Sequence, residues 1–376
     1  MEERFVRNMS LLVTGLAIFI CTSLYYLPML EVRAEQYIEK QIRARRERKE
    51  REEMLAMLSG LEFLDYTTEQ ALATAEKLPE EEQKEAVEAL DFPQQLRLEL
   101  PKNVSQDDVT VENHYVEKTI DITIGGAGED YLISYPMIGR SDHIEDLSYF
   151  FELNGGTVEL KMERVYEMSL DWAGQYLYID FIPPKDIYDK IVVIDAGHGA
   201  KMPGATINGV MEKDIDLAIV LELKKLFEGA DDPSIGVYYT RLDDSDPAFA
   251  NRSGLANDSD ADLFVSIHNN SYQGSADVRG TTVLYDEAKP SEGQSSMRLA
   301  NILLEKVTGA LGSKKRGLTK GNDIFVIRTC EAPAALVEVG FMTNPAELAN
   351  LTSEAYQKKC AQGIYEAILQ ALEEGF

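Results

Sequence analysis

Cysteine, histidine and tryptophan are scarce in this 376-residue sequence, with three, four and one copies. Three widely separated cysteines (Cys21, Cys330, Cys360) exclude a disulfide-stapled mini-fold and any zinc finger built on Cys ligands. Basic residues are also in short supply, since 37 Lys+Arg face 65 Asp+Glu for a formal net charge of −28. That deficit argues against a nucleic-acid partner, because phosphate binding draws on clustered Lys and Arg. An apolar share of 44% nevertheless provides a sizeable core, and the length suits two or three domains. With four histidines, each can be weighed by its own surroundings.

One long uncharged run stands out, residues 9–30 (MSLLVTGLAIFICTSLYYLPML). A helix of about 20 apolar residues spans a bilayer, whereas a signal-peptide core takes about 7–15. Length thus predicts a membrane anchor over 1–34, with Tyr25 and Tyr26 at an interface. The competing reading is cleavage after Ala34, where Val32-Arg33-Ala34 fits a small-residue site and Pro28 breaks the helix. Residues 35–101 read as a helical stalk and linker. Their early part (QIRARRERKEREE) is dense in opposite charges at helical spacing, Thr67 and Gln70 have capping-box spacing, and prolines bracket a linker over 91–101.

Residues 102–184 change period. Val109 and Val111, then Ile120, Ile122 and Ile124, then Val158, Leu160 and Met162 alternate with polar residues, separated by Gly125-Gly126 and Asn154-Gly155-Gly156. Ile144, Leu147 and Phe151 predict one short helix over 142–151, giving a small α+β domain with a binding or spacer role. His114 and His143 have no companion ligand nearby and read as surface or packing residues.

From 188 to 376 the pattern becomes alternating strand and helix. Strands are predicted over 190–195, 235–240, 263–268, 280–285, 323–327 and 334–339, and helices over 213–227, 247–257, 296–311 and 353–372. The fold class predicted here is α/β, a mostly parallel twisted sheet of about six strands with helices on both faces. Ligands in such sheets sit at the carboxyl ends of strands. There the first strand runs into Gly197-His198-Gly199, the third ends at His268, and the last carries Glu338 in an otherwise apolar run. Glu212 sits where the loop after His198 enters a helix. Two His and one carboxylate make a zinc set with the fourth position left to water. Hydrolysis then needs one more acid to take the water's proton and pass it on. Glu338 is the candidate, because burying an idle acid in that strand would be costly.

The stretch from about 190 to 372 resembles the zinc-dependent N-acetylmuramoyl-L-alanine amidases of the amidase 3 type. IDAGHG, MEKDIDLAI, VYYTRLDD, NRSGLAND-SDADLFVSIHNN, GTTVLY and DIFVIRTCEAPAALVEVGFMTN occur in family order. The resemblance implies Zn2+ held by His198, Glu212 and His268, with Glu338 as catalytic acid/base. It also implies peptidoglycan as substrate, cut between N-acetylmuramic acid and L-alanine. By analogy Arg252 holds the helix before the third strand or contacts substrate, its plainer role being a surface ion pair. Asn269 and Asn270 are expected to line the site mouth and donate to substrate, or to cap the strand end. Ala200 and Met202 stand where the family carries Gly and Asp, which bears on the shape of the loop after His198. The short connection after Tyr285 predicts no blocking helix, leaving regulation to residues 35–182 or a protein partner.

An exterior substrate orients the chain as single-pass in the cell membrane with the catalytic domain outside, or secreted if cut near Ala34. Lys/Arg counting alone favours the opposite orientation, although large domains translocate largely regardless of charge. Two other functions share the motifs: a catalytically silent wall-binding or activator protein, and a zinc peptidase acting on another amide.

Overall fold

The computed structural model describes residues 94–376 apart from 136, 140, 141, 153, 231 and 289–291. The sequence expectations for the anchor and for most of the stalk, including the Thr67–Gln70 cap, lie outside the described residues. Among the described residues, no helix is long and apolar enough to cross a membrane.

The first layer pair is all but helix-free. Strands β1 (Leu96–Glu99), β4 (Ile138–Gly139), β7 (Glu167–Ala173) and β8 (Tyr176–Ile182) form one antiparallel sheet in the order β4-β1-β8-β7. Strands β2 (Val109–His114), β3 (Thr119–Gly125), β5 (Ile144–Glu152) and β6 (Gly155–Met162) form another in the order β2-β3-β6-β5. Alternation puts Ile120, Ile122, Ile124, Val158 and Leu160 on one inner face and Leu96, Leu98, Leu177 and Ile179 on the other, a shared core nearly sealed from solvent. Among the described residues of this part, the one helical turn of four residues is α1 (Tyr131–Ser134).

Two expectations are corrected in this region. The helix predicted over 142–151 is instead a turn leading into strand β5: Leu147 pairs with Leu160 and Tyr149 with Val158, and that ladder overrides helical spacing. Of the linker expected over 91–101, the described residues 94–101 are not a plain linker, because Leu96 and Leu98 are buried core residues of β1.

The second part is an α/β layer structure. Its strands are β9 (Lys190–Ala196), β12 (Ile235–Tyr239), β13 (Leu263–Asn270), β14 (Thr281–Tyr285), β15 (Lys315–Lys320) and β16 (Ala334–Phe341), in the order β12-β9-β13-β16-β14-β15. The first four in that order run parallel; β14 is antiparallel to β16 and parallel to β15. A two-stranded hairpin, β10 (Thr206–Ile207) and β11 (Val210–Met211), follows β9. The helices are α2 (Glu212–Ala230), α3 (Phe249–Asp258), α4 (Glu292–Leu311), α5 (Phe325–Thr329), α6 (Pro345–Leu351) and α7 (Glu354–Glu373). Helices α2, α4 and α7 cover the face presenting Val192, Ile194, Val265, Ile267 and Val337, while α3 and α5 cover the face presenting Ile191, Val193, Phe264 and Leu336. Cys360 is buried on the first face and Cys330 on the second, and they form no disulfide.

The predicted strand over 323–327 is instead helix α5, with Val326 and Ile327 packed under the sheet. The sixth strand is β15, whose KRGLTK sequence is too polar to read as a strand. It lies at the sheet edge, where charged side chains discourage further pairing.

The two parts pack into one compact unit over Pro93–Phe376. Tyr115 and Tyr238 meet edge to face at 5.0 Å, and both hydroxyls donate to Glu167, at 2.8 and 2.5 Å. Arg164 pairs with Asp260 at 2.7 Å and Lys118 with Asp258 at 3.1 Å. Val165 joins the core of the α/β part, so the contact has an apolar centre as well as a polar rim.

Candidate metal centre

Period-two alternation decides which side chains reach the site. On β9, Ile191, Val193 and Asp195 share a face; on β13 it is Phe264, Ser266 and His268; on β16 it is Leu336 and Glu338. The lower members are apolar core and the uppermost members are polar. His268 and Glu338 are paired positions of adjacent parallel strands, and Asp195 is paired with Ser266.

Beyond Asp195 the chain turns sharply. His198 has φ 60°, a left-handed conformation that costs a non-glycine residue of order 1 kcal/mol or more. Two glycines make the turn possible. A side chain at Gly197 would overlap the His268 ring, and one at Gly199 would overlap the Ser245 carbonyl. The loop closes on itself, with Gly199 and Met202 exchanging backbone hydrogen bonds at 3.0 and 2.8 Å. Met202 points outward at 53% exposure, and Asp244 accepts from the Ala200 amide at 3.0 Å. The loop is therefore held with Ala200 and Met202 in place.

Two buried arginines hold this turn from below. Arg252, 1% exposed, donates to Asp195 Oδ1 (2.9 Å) and to the carbonyls of Ala196 and His198 (2.6 Å each). Arg241, 3% exposed, donates to the carbonyls of Ala196 (3.0 Å), Gly197 (2.6 Å) and Lys213 (2.9 Å). Asp195 also accepts from Thr240 and Ser266, each at 2.6 Å. Burial pushes the Asp195 carboxyl up, but Arg252, Ser266 and Thr240 together hold it below the ordinary range. Arg252 is thus neither a surface ion pair nor open to a substrate.

Glu212 begins α2. Its Oε1 lies 3.1 Å from His198 Nε2 and 3.1 Å from His268 Nδ1, and it accepts from the Asn269 amide at 3.1 Å. Its Oε2 accepts from the Ala205 amide at 2.7 Å. The two imidazoles stand nearly perpendicular, 4.8 Å apart. Burial opposes ionisation of Glu212, yet hydrogen bonds from the two histidines pull its carboxyl far below the usual range. Burial pushes His268 down, but its hydrogen bond to Glu212 and the nearby carboxylates of Asp216 and Glu338 outweigh it and raise it to about 9.

This donor set fits a divalent cation. Ligand atoms bonded at about 2.0–2.1 Å around a tetrahedral zinc lie roughly 3.3 Å apart, close to the two 3.1 Å separations seen here. Among the described residues, His198, Glu212, His268 and Asp216 form the one group whose ligand atoms all lie within 4.8 Å of one another. Three of these were singled out from sequence. Asp216 was not, although it follows Glu212 by one helical turn and so shares its face of α2.

Glu338 stands beside this group. Its Oε2 is sealed from solvent and has no hydrogen-bond partner. Burial pushes its carboxyl up to about 7, against the pull of His268. A carboxyl poised there can give and take protons near neutrality.

Asn269 is not at a site mouth. It is 1% exposed, and its amide donates to Asp216 at 2.7 Å, behind the imidazoles. Asn270 is half-buried at the end of β13, where its carbonyl accepts from Met342. Of the remaining histidines, His114 faces Asp121 at 3.3 Å and His143 rests against Tyr166 and Glu163, both far along the chain from this group.

Residues 192–370 match the family model described as N-acetylmuramoyl-L-alanine amidase. The uncharacterised protein YqiI of Bacillus subtilis is 39% identical over 183 residues, covering 48% of this chain and 84% of its own length. N-acetylmuramoyl-L-alanine amidase LytC of the same organism is 32% identical over 181 residues, covering 48% of this chain and 35% of its own. Among solved structures, the catalytic domain of the amidase CwlV from Bacillus (Paenibacillus) polymyxa var. colistinus is 38% identical. It covers 49% of this chain and 98% of its own, with a TM-score of 0.45.

Proposed function

The chain belongs to the N-acetylmuramoyl-L-alanine amidases, and from that premise we propose that residues 188–376 cut the amide joining N-acetylmuramic acid to L-alanine in peptidoglycan, with zinc held by His198, Glu212 and His268 and with Glu338 as acid/base. The observation that carries this reading is the convergence of the two imidazoles on Glu212 Oε1, with Glu338 in the strand position next to His268.

When bound, zinc lowers the pKa of its water towards about 7 and polarises the scissile carbonyl. The chain's own residues do the rest. Arg241 and Arg252 fix the backbone that carries His198, so the imidazole is set before a ligand arrives. Asn269 fixes Glu212 through its amide. Glu338 takes a proton from the attacking water as the new C–O bond forms, and delivers it to the L-alanine nitrogen as the C–N bond breaks. Its unpartnered Oε2 and its upward-shifted carboxyl suit it to both transfers.

A substrate in the cell wall supports an exterior catalytic domain. The uncharged run 9–30 supports a membrane anchor, with release near Ala34 as the alternative. The firm seat of residues 94–182 on the α/β part supports a spacer that carries the site as one body with it.

The test is end-group analysis of purified peptidoglycan after digestion by the full chain. New L-alanine amino termini with intact glycan strands are expected. Release of any other peptide amino terminus would make the protein a peptidase, and no release would make it a silent member of the family.

A further inference from the structure

Asp216 is not needed by the three-ligand reading, yet it occupies the same small volume. It projects from α2 one turn beyond Glu212, is wholly buried, and contributes a carboxylate oxygen to the group whose ligand atoms lie within 4.8 Å of one another. Its two oxygens are treated differently. Oδ1 accepts from Asn269 Nδ2 at 2.7 Å, whereas Oδ2 is sealed from solvent with no hydrogen-bond partner. A buried carboxylate oxygen left bare is expensive, and the usual remedies are protonation, an ion pair, a donor or a metal; burial pushes this carboxyl well above the ordinary range, so a cation bound here would take the place of a proton. Nearby donors are already engaged. Arg241 is committed to four carbonyls, Arg252 to Asp195, Asp246 and three carbonyls, and the His268 Nδ1 to Glu212. Asn269 completes the picture, since its backbone amide donates to Glu212 Oε1 and its side chain to Asp216 Oδ1. One residue thereby orients both carboxylates.

We propose that Asp216 is a further ligand of the cation, binding through Oδ2 while Asn269 pins Oδ1, so that the site is a two-histidine, two-carboxylate set. The proposal rests on the metal-site reading above. It has a chemical consequence, because a second carboxylate neutralises the charge of a divalent ion and adds a hard oxygen donor. Such a set tolerates five-coordinate geometry and accepts Mn2+ or Co2+ more readily than a three-ligand zinc site does.

The test uses full-length protein stripped of metal and titrated with Zn2+ against a chromophoric chelator, and separately with Co2+ followed by its visible d–d absorption. Wild type is expected to bind one ion per chain, with the weak cobalt bands of a five-coordinate site. Asp216→Asn, close to isosteric, is expected to bind zinc about 10- to 100-fold more weakly and to give stronger, four-coordinate cobalt bands. Asn269→Ala leaves both carboxylates in place but frees Oδ1, and is expected to broaden the cobalt bands with a smaller loss of affinity; it serves as the second variant should Asp216→Asn not fold. Unchanged zinc affinity and an unchanged cobalt spectrum in these variants would overturn the role of Asp216 while leaving the three-ligand site standing. Wild type that binds no metal would instead remove the site reading itself.

Discussion

His268 and Glu338 stand side by side on adjacent parallel strands, one directed at Glu212 and the other with an unpartnered, sealed oxygen. The sheet ladder thus fixes the spacing between a ligand candidate and a proton carrier, where a loop would leave it loose. Glu338→Gln keeps the shape and removes the exchangeable proton. Turnover on peptidoglycan is expected to fall by at least about 100-fold, with zinc content and thermal unfolding close to wild type. Activity within a few-fold of wild type would assign the proton transfers elsewhere.

Arg252 and Asp195 form a fully buried pair, each 1% exposed. Arg252→Met removes the guanidinium, leaving the Asp195 carboxylate without its charge partner and the His198 carbonyl without its donor, while Arg241 still donates to Ala196. A loss of about 3–5 kcal/mol in unfolding free energy is expected, measured by urea titration. A loss below about 1 kcal/mol would mean that the turn carrying His198 is held by Arg241 alone.

The same pair gives an acid signature. Asp195 titrates below the ordinary carboxylate range in the folded protein, so its contribution is present above about pH 4 and is lost as pH falls through its folded value. Thr240→Val deletes one donor to Asp195 Oδ1 and raises that folded value. Acid unfolding of this variant is expected to begin at higher pH than in wild type, with its deficit in unfolding free energy largest at neutral pH and shrinking as pH falls through the folded value. Coincident acid-unfolding curves would rule the contribution out.

Glu167 joins the two parts by accepting from Tyr115 and Tyr238 at once. Glu167→Ala is expected to cost about 2 kcal/mol and to lower the unfolding midpoint of the whole 93–376 body, because Val165 of the first part is also buried in the core of the α/β part. Two separate calorimetric transitions in wild type would contradict this single-body behaviour.

Much of the site was legible in the sequence for a physical reason. Glycines on either side of His198 mark a turn that few other residues can make, and an acid in the apolar run of β16 has few uses but chemistry. Asp216 escaped notice because on an amphipathic helix it reads as one more polar position. Only the packing of α2 beneath Asn269 shows it to be interior. Strand β5 escaped for the opposite reason. Ile144, Leu147 and Phe151 happen to fall at helical spacing, while the ladder to β6, with its irregularity between Ile144 and Asp146, is a long-range property. The apolar residues around Ile327 fit strand and helix equally, an ambiguity that short apolar runs always carry. Arg252 reads from sequence either as holding its helix or as a surface ion pair, and only the turn it clamps decides against the exposed role.

The most direct measurement is zinc titration of metal-stripped full-length protein, with the appearance of L-alanine amino termini from peptidoglycan followed at each step. Activity is expected to be negligible without metal, to rise in proportion to added zinc, and to level off at one ion per chain. Full activity in the stripped protein, or metal-restored activity in a His198→Ala, Glu212→Ala double variant, would contradict hydrolysis at this centre.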